Sequence, residues 1–164
     1  MIKKISISIL TMFGVGNSKY APGTVASFIT FLIFVFFYKL QVNILILIAS
    51  VILIFIFSIY SIDKFKKSFS ETDASEIVID EFIGQSIPIL TIYNFLQKNV
   101  LIDFIFYSFV SFVLFRLFDI TKPYPIGRID KEMKNGFGVI LDDIVAGIYS
   151  VIAFFFIMIL LSYA

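Results

Sequence analysis

Two short acidic motifs carry the residue types that bind divalent cations. Each is an acidic pair, then two apolar residues, then a small residue: Asp80-Glu81-Phe82-Ile83-Gly84 and Asp142-Asp143-Ile144-Val145-Ala146-Gly147. Small residues let neighbouring membrane helices approach closely, so two such helices would bring the four carboxylates together. Carboxylates at that distance repel unless a cation lies between them, and oxygen ligands favour Mg²⁺, Mn²⁺ or Ca²⁺. We therefore expect a magnesium site formed by Asp80, Glu81, Asp142 and Asp143.

A third acidic feature precedes the first pair. Asp73, Glu76 and Asp80 have i, i+3, i+7 spacing, which places them on one stripe if residues 73–84 are helical. Like charges in this spacing destabilise a bare helix, and a bound cation would reverse that effect. The alternative is an acidic first turn favoured by the helix dipole, which suits Asp73 and Glu76.

A basic motif follows a long apolar run. Arg116 and Lys122 flank Asp119, and Pro123 and Pro125 stop the preceding helix and stiffen the connection. Arginine suits two-pronged phosphate contacts and lysine supplies a point charge. A basic collar that extends to lipid headgroups is the alternative. We favour a functional role for Arg116, Asp119 and Lys122.

A glycine- and proline-containing loop occupies residues 14–24. We expect Thr24 to cap the first membrane helix, with Ser27 one turn later. A helix start of this kind can bind an anion, so Thr24 and Ser27 are candidate substrate-binding residues. An ordinary helix start explains the pattern equally well.

The amino-acid composition indicates the class of protein in which these motifs occur. Hydrophobic residues make up 60% of the 164 residues and charged residues 15%, against roughly 45–50% and about 25% in soluble domains. A disordered chain is excluded, and a membrane protein with a single domain over residues 1–164 is favoured. Cysteine and histidine are absent, which excludes thiolate and imidazole chemistry, and the net charge of +1 gives no indication of nucleic-acid binding.

Apolar segments predict an all-α fold, a small integral membrane helical bundle of about five hydrophobic helices. Residues 1–13 are expected to form an interfacial or buried helix. The expected membrane segments, two of them short and one broken at Pro88, are 25–38, 44–62, 82–96, 100–118 and 144–163.

Charge distribution predicts the orientation. With the N-terminus inside, all basic residues except Lys39 and Lys98 fall on one side of the membrane, which the positive-inside rule places in the cytoplasm. All acidic residues except Asp103 share that side, so we expect an acidic site on the cytoplasmic face.

Together these motifs resemble the phosphatidylglycerophosphatase A family. The resemblance rests on motifs in family order over nearly the whole chain: Ala21-Pro22-Gly23-Thr24 with Ser27, Asp73 with Ile77 through Glu81 and Gly84, Phe115-Arg116 through Asp119 to Lys122-Pro123 and Asp130, and Gly136 through Gly147. It implies a multi-pass enzyme of the bacterial inner membrane that uses Mg²⁺ to hydrolyse phosphatidylglycerophosphate to phosphatidylglycerol and phosphate.

The motifs and the resemblance give one mechanistic hypothesis. Arg116 and Lys122 would bind the phosphate oxygens of the lipid substrate, and a metal ion or an acid such as Asp119 or Asp73 would align a water nucleophile. A covalent aspartyl-phosphate remains an alternative.

Two other functions are consistent with parts of the pattern. One is a Mg²⁺-dependent phosphatidyl-group transferase, although the residues after Asp143 do not fit its usual motif. The other is a non-enzymatic ion-binding membrane protein, although a transporter would place acids at mid-membrane. The sequence leaves the oligomeric state open.

Overall fold

The computed structural model describes residues 2–65, 76–96 and 100–163, and the regular structure in these ranges is helical. The elements in chain order are α1 Ile2–Leu10, a 3-10 turn Val15–Asn17, α2 Pro22–Lys39, α3 Ile44–Phe65, α4 Ile79–Phe95, α5 Leu101–Thr121, α6 Ile126–Glu132 and α7 Gly136–Ser162. This confirms the predicted all-α fold.

Within the described ranges, four helices, α2, α3, α5 and α7, are long and apolar enough to cross a membrane. Helix α4 has 17 residues, about 25 Å at 1.5 Å per residue, which is shorter than the hydrocarbon core of about 30 Å. Large apolar side chains are exposed around the bundle, including Leu53 at 67% and Ile102 at 76%. Lipid chains are the natural surroundings for such side chains, and the prediction of about five hydrophobic helices agrees with this arrangement.

Helix α2 begins earlier than the sequence predicted. Pro22 occupies its first turn, where a missing N–H group costs nothing, and Ala21 is the N-cap residue. The prediction that Thr24 caps this helix was therefore wrong, because Thr24 already lies inside the first turn.

Helix α7 also begins earlier, at Gly136 rather than near residue 144. Asn135 caps it by accepting a hydrogen bond from the Gly138 N–H group at 2.8 Å. Asp142 and Asp143 consequently lie in its second turn and do not open the helix as predicted.

The condition that would place Glu76 and Asp80 on one helical stripe is not met, because residues 76–78 are not helical. Glu76 lies in a turn and α4 starts only at Ile79, so Glu76 and Asp80 do not share a helical stripe. The Val78 N–H group donates to the Leu10 carbonyl at 3.0 Å, which ties this segment to the end of α1. Asp73 lies outside the described residues.

Pro88 does not break α4, contrary to the prediction. The helix continues through it to Phe95. Since proline has no N–H group, the Gly84 carbonyl loses its usual partner in the helix. That carbonyl instead faces Gly147 of α7, at a close contact between the two helices.

The interior has an apolar layer at each end of the bundle. The end that holds the N-termini of α2, α4 and α7 contains a cluster with Leu10, Ile62, Ile83 and Ile140. The opposite end is richer in aromatic residues: Phe31, Phe34, Phe104 and Phe154. The acidic motifs thus sit at the end of the bundle where α3 and α5 finish.

Candidate active site

Three carboxylates from two helices form the centre of the site. Asp80 and Glu81 lie in the first turn of α4 and Asp143 in the second turn of α7, with one oxygen of each within 4.8 Å of the others. Two oxygens on opposite sides of a Mg²⁺ ion are about 4 Å apart. The hard oxygen ligands and their spacing therefore fit a divalent cation such as Mg²⁺.

Two glycines explain why α4 and α7 meet so closely here. A Cβ atom on Gly84 would lie 2.6 Å from the Asp143 carbonyl oxygen and 2.8 Å from the Phe115 ring. A Cβ atom on Gly147 would lie 2.5 Å from the Gly84 carbonyl oxygen. The expected close approach of the two helices at small residues is observed, and of the second acidic pair Asp143 joins Asp80 and Glu81.

Arg116 and Asp119 form a buried ion pair on the last turns of α5. Their atoms Nη1 and Oδ2 are 2.6 Å apart, and the two side chains are only 14% and 12% exposed. Arg116 Nη1 also donates to Ser27 Oγ at 3.4 Å, and Ser27 Oγ donates to the Gly23 carbonyl at 2.9 Å. Arg116 is thereby fixed between α5 and the first turns of α2.

Gly23 lies directly against this ion pair. A Cβ atom there would be 3.3 Å from Arg116 Nη1 and would overlap Glu81 Oε1. The Asp119 side chain lines the same pocket as Asp143 and Glu81. Helix α2 therefore joins the site through its glycine, and Asp119 becomes a fourth carboxylate beside the first three.

Lys122 is held by two carboxylates at the C-cap of α5. Its Nζ atom lies 3.0 Å from Asp142 Oδ2 and 3.0 Å from Asp130 Oδ1. Partial burial of the ammonium lowers its pKa, but the hydrogen bonds and charges of Asp142 and Asp130 outweigh this. The pKa of Lys122 is accordingly raised above its usual range. Lys122 remains charged at neutral pH.

The backbone aims Lys122 at these partners. Its φ of 42° is in the left-handed region, which residues other than glycine seldom adopt. Its N–H group closes α5 by donating to the Phe118 carbonyl at 2.9 Å. The prediction that Pro123 and Pro125 follow the helix end is confirmed, because α5 stops at Thr121.

These residues surround a pocket of about 110 Å³. Six of its lining side chains are acidic, while Lys122 and Lys134 are its two lysines. Such an excess of negative charge in a half-closed pocket favours a bound cation. The lining comprises Asp80, Glu81, Asp119, Lys122, Asp130, Met133, Lys134, Gly138, Val139, Asp142 and Asp143.

The site residues predicted from the sequence lie in three parts of the structure. Asp80, Glu81 and Asp143 lie together, whereas Asp142 contacts Lys122 instead of completing a group of four. Arg116 and Ser27 lie behind the carboxylates, and the described lining of the pocket does not include Arg116. Thr24 is half-buried in the first turn of α2, in the same turn as Gly23.

Two contributors were assigned no role from the sequence, although Asp130 belongs to a motif that carries the family resemblance. Asp130 belongs to the short helix α6 and reaches Lys122 only because the chain turns back after the two prolines. Asp63, near the end of α3, accepts a hydrogen bond from the Gly136 N–H group at 2.7 Å and fixes the start of α7. Both contacts join segments whose approach depends on the tertiary fold.

Comparison with known proteins identifies one family to which the chain is similar. The sequence profile of the family described as "Phosphatidylglycerophosphatase A" matches residues 8–158. A Haemophilus influenzae protein named "Phosphatidylglycerophosphatase A" is 36% identical over 160 residues, covering 94% of this chain and 92% of that protein. The Escherichia coli protein of the same name is 33% identical over 147 residues, covering 88% and 78%.

A further relative carries a different name. A Bacteroides thetaiotaomicron protein named "Putative phosphatidylinositol-3-phosphatase" is 33% identical over 151 residues, covering 90% of each chain. No solved structure matches the chain. The profile match and the relatives all describe phosphoric monoester hydrolases, and the chain belongs to the phosphatidylglycerophosphatase A family.

Proposed function

We propose that this enzyme is a Mg²⁺-dependent lipid phosphatase that hydrolyses phosphatidylglycerophosphate to phosphatidylglycerol and phosphate. The observation that carries the proposal is the carboxylate group of Asp80, Glu81 and Asp143 beside Lys122, in one pocket at the end of the membrane helices. A phosphate at headgroup level can enter such a pocket while its acyl chains stay in the bilayer.

The three clustered carboxylates are the proposed ligands of Mg²⁺. When bound, Mg²⁺ supplies positive charge that offsets the charge of the phosphate oxygens in the transition state. Asp142 has a different role, because its Oδ2 atom pairs with Lys122 at 3.0 Å. It directs the ammonium into the pocket, where Lys122 binds a phosphate oxygen.

Asp119 is the proposed general base. It lines the pocket, and its Oδ2 atom is held by Arg116. It orients a water molecule and accepts its proton as the water oxygen attacks phosphorus. The bond from phosphorus to the glycerol oxygen breaks, the proton passes to that oxygen, and phosphatidylglycerol and inorganic phosphate result.

Arg116 supports this step through its neighbours. Its contacts with Asp119 and Ser27, and its position beside Gly23 and Glu81, fix two of the carboxylates. A guanidinium can contact several groups in fixed directions, which an ammonium cannot. Arg116 therefore orients the base and a metal ligand, and Ser27 orients Arg116.

The location proposed for the enzyme is the bacterial inner membrane, with the site facing the cytoplasm. Support comes from the basic residues at the site end, including Lys19, Arg128 and Lys131, and from the positive-inside rule. The chain has no cysteine, so Lys131→Cys and Asn43→Cys each introduce a single label. Lys131→Cys should react only with reagent in the cytoplasm, and Asn43→Cys only from the opposite side; the reverse would contradict the orientation.

Phosphate release by the purified protein in detergent tests the activity. We expect release from phosphatidylglycerophosphate with Mg²⁺ and none in a chelator, and slower release from phosphatidic acid. Equal activity with and without the chelator would contradict the metal requirement. No release from phosphatidylglycerophosphate would contradict the substrate.

A second candidate substrate is phosphatidylinositol 3-phosphate, because the Bacteroides thetaiotaomicron relative is named for it. The two headgroups differ in size and in the position of the phosphate. Assaying both lipids at equal surface concentration in the same micelles decides between them by the ratio of kcat/KM.

A further inference from the structure

A buried polar side chain without a partner lies one helical turn below Glu81. Gln85 is 0% exposed, and both atoms of its carboxamide lack a hydrogen-bond partner among the described residues. Buried amide groups are nearly always hydrogen-bonded to protein or to ordered water. In a membrane helix an unpaired carboxamide is especially costly.

Two atoms of the site above it share this condition. Glu81 Oε2 and Arg116 Nε are also buried and have no hydrogen-bond partner within the described part of the chain. Glu81 and Gln85 are four residues apart on α4, so they lie on the same face. Arg116 and Glu81 both contact the position of Gly23, which places the guanidinium beside the carboxylate.

The hydrogen-bonding capacities of these groups are complementary. Arg116 Nε and Gln85 Nε2 are donors, while Glu81 Oε2 and Gln85 Oε1 are acceptors. One water molecule accepts two hydrogen bonds and donates two. A buried water with two to four polar partners is an ordinary structural element of proteins.

On α4, the next buried residue on the same face as Gln85 is apolar. Ile89 lies one turn farther along α4 than Gln85 and is fully buried. It belongs to the same apolar cluster as Phe31 and Phe34 of α2. On this face of α4, Gln85 is therefore followed by apolar packing.

We propose that Gln85 is a positioning residue, which holds the Glu81 carboxylate in place through a buried water molecule shared with Arg116. The inference rests on the proposed function in one respect, that Glu81 is a metal ligand. Hydrogen bonds from outside the ligand shell orient a carboxylate, and their loss typically weakens metal binding or activity roughly 10- to 100-fold.

The test compares Gln85→Leu with Ser86→Ala as a matched control. Ser86 is also fully buried on α4, but its hydroxyl donates to the Phe82 carbonyl at 2.6 Å and has its partner. The probe is Mn²⁺, titrated into each purified protein and followed by electron paramagnetic resonance. We expect Gln85→Leu to weaken Mn²⁺ binding roughly 10- to 100-fold, and Ser86→Ala to leave it within a few-fold of the wild type.

Thermal unfolding in a chelator gives a readout that needs no metal. If water joins Gln85 to Glu81 and Arg116, Gln85→Leu leaves those two groups unpaired and lowers the melting temperature. An unpartnered Gln85 predicts the opposite, because leucine would remove a buried polar group at no loss of hydrogen bonds. A raised melting temperature therefore overturns the proposal.

Each of the remaining outcomes contradicts either the positioning role of Gln85 or the proposed function. A lower melting temperature with unchanged Mn²⁺ affinity makes Gln85 structural only and overturns its positioning role. Should Gln85→Leu fail to fold, Gln85→Asn keeps the amide but shortens its reach, and Mn²⁺ affinity equal to that of the wild type would contradict the proposal. Wild-type protein that binds Mn²⁺ but releases no lipid phosphate would refute the proposed function alone.

Discussion

Gly147 of α7 faces Gly84 of α4 so closely that a Cβ atom on Gly147 would lie 2.5 Å from the Gly84 carbonyl oxygen. The metal ligands proposed here belong to both helices, so this contact sets the distance between Asp143 and the Asp80–Glu81 pair. We expect Gly147→Val to separate the helices and to lower Mn²⁺ affinity and phosphatase activity together, by roughly 10-fold or more.

Ala49→Val is the matched control for that change. It adds the side-chain bulk of valine to an exposed position of α3, away from the site. Its activity and Mn²⁺ affinity should match those of the wild type. If Gly147→Val also kept both properties, the close helix contact would not be needed to assemble the site.

Adjacent acids on α7 should behave differently. Asp143→Asn removes one of the three clustered carboxylates, so we expect loss of both Mn²⁺ binding and turnover in a protein that still inserts and folds. Asp142→Asn removes a partner of Lys122 instead, so Mn²⁺ binding should persist while KM for the lipid rises. Isothermal titration with Mn²⁺ and steady-state kinetics on the same preparations measure the two effects.

Asp103→Asn serves as the control, because Asp103 lies in the first turn of α5 at the opposite end of the bundle. Equal loss of Mn²⁺ binding in the Asp142 and Asp143 variants would mean that both residues are ligands, as the four-carboxylate expectation requires. Retained binding in Asp143→Asn would remove that residue from the proposed ligands.

Lys122 gives a prediction for the pH dependence of stability. Asp142 and Asp130 raise its pKa above the usual value of about 10.4. A pKa raised by folding means that the stabilisation is complete below the unfolded-state pKa and is lost as the pH rises through the folded-state pKa. The difference in melting temperature between wild type and Lys122→Gln should therefore stay constant from about pH 7 to about pH 9 and shrink above about pH 10.5.

Thermal melts of both proteins in detergent across this range provide the measurement. A difference that shrinks between pH 7 and 9 would mean that Lys122 loses its proton too early to be stabilised by the two carboxylates.

Local chemistry made much of this site predictable from the sequence. Small residues at Gly84 and Gly147 beside acidic pairs predicted that α4 and α7 would pack with their carboxylates together, and Asp80, Glu81 and Asp143 do lie together. The helix stop after Thr121 followed from the two prolines. These features depend on residue type and short spacing.

What escaped prediction depends on contacts between distant segments. Val78 bonds to Leu10 across almost 70 positions of sequence, which keeps Glu76 out of α4. Lys122 pairs with Asp142, and the left-handed backbone at Lys122 could not be predicted from a lysine in the sequence. Helix periodicity contains no information on such pairings.

Substitution of Arg116 distinguishes a role in the site from a role in anchoring the helix at the membrane surface. Arg116→Lys keeps the positive charge but cannot hold Asp119 and Ser27 while also reaching the region beside Glu81. Loss of one organising donor in an active site typically lowers turnover roughly 10²- to 10³-fold. A residue that only anchors the helix at lipid headgroups would tolerate the exchange, because either cation serves there.

Arg128→Lys is the matched control, since Arg128 is 61% exposed in its side chain and pairs only with Glu132 of the same short helix among the ion pairs of the described residues. Its turnover should stay within a few-fold of the wild type. Turnover of Arg116→Lys should collapse while membrane insertion and Mn²⁺ binding remain measurable, as followed by phosphate release and electron paramagnetic resonance. If both lysine variants retain near-normal turnover, Arg116 is a headgroup anchor, and the orientation of Asp119 must come from elsewhere in the site.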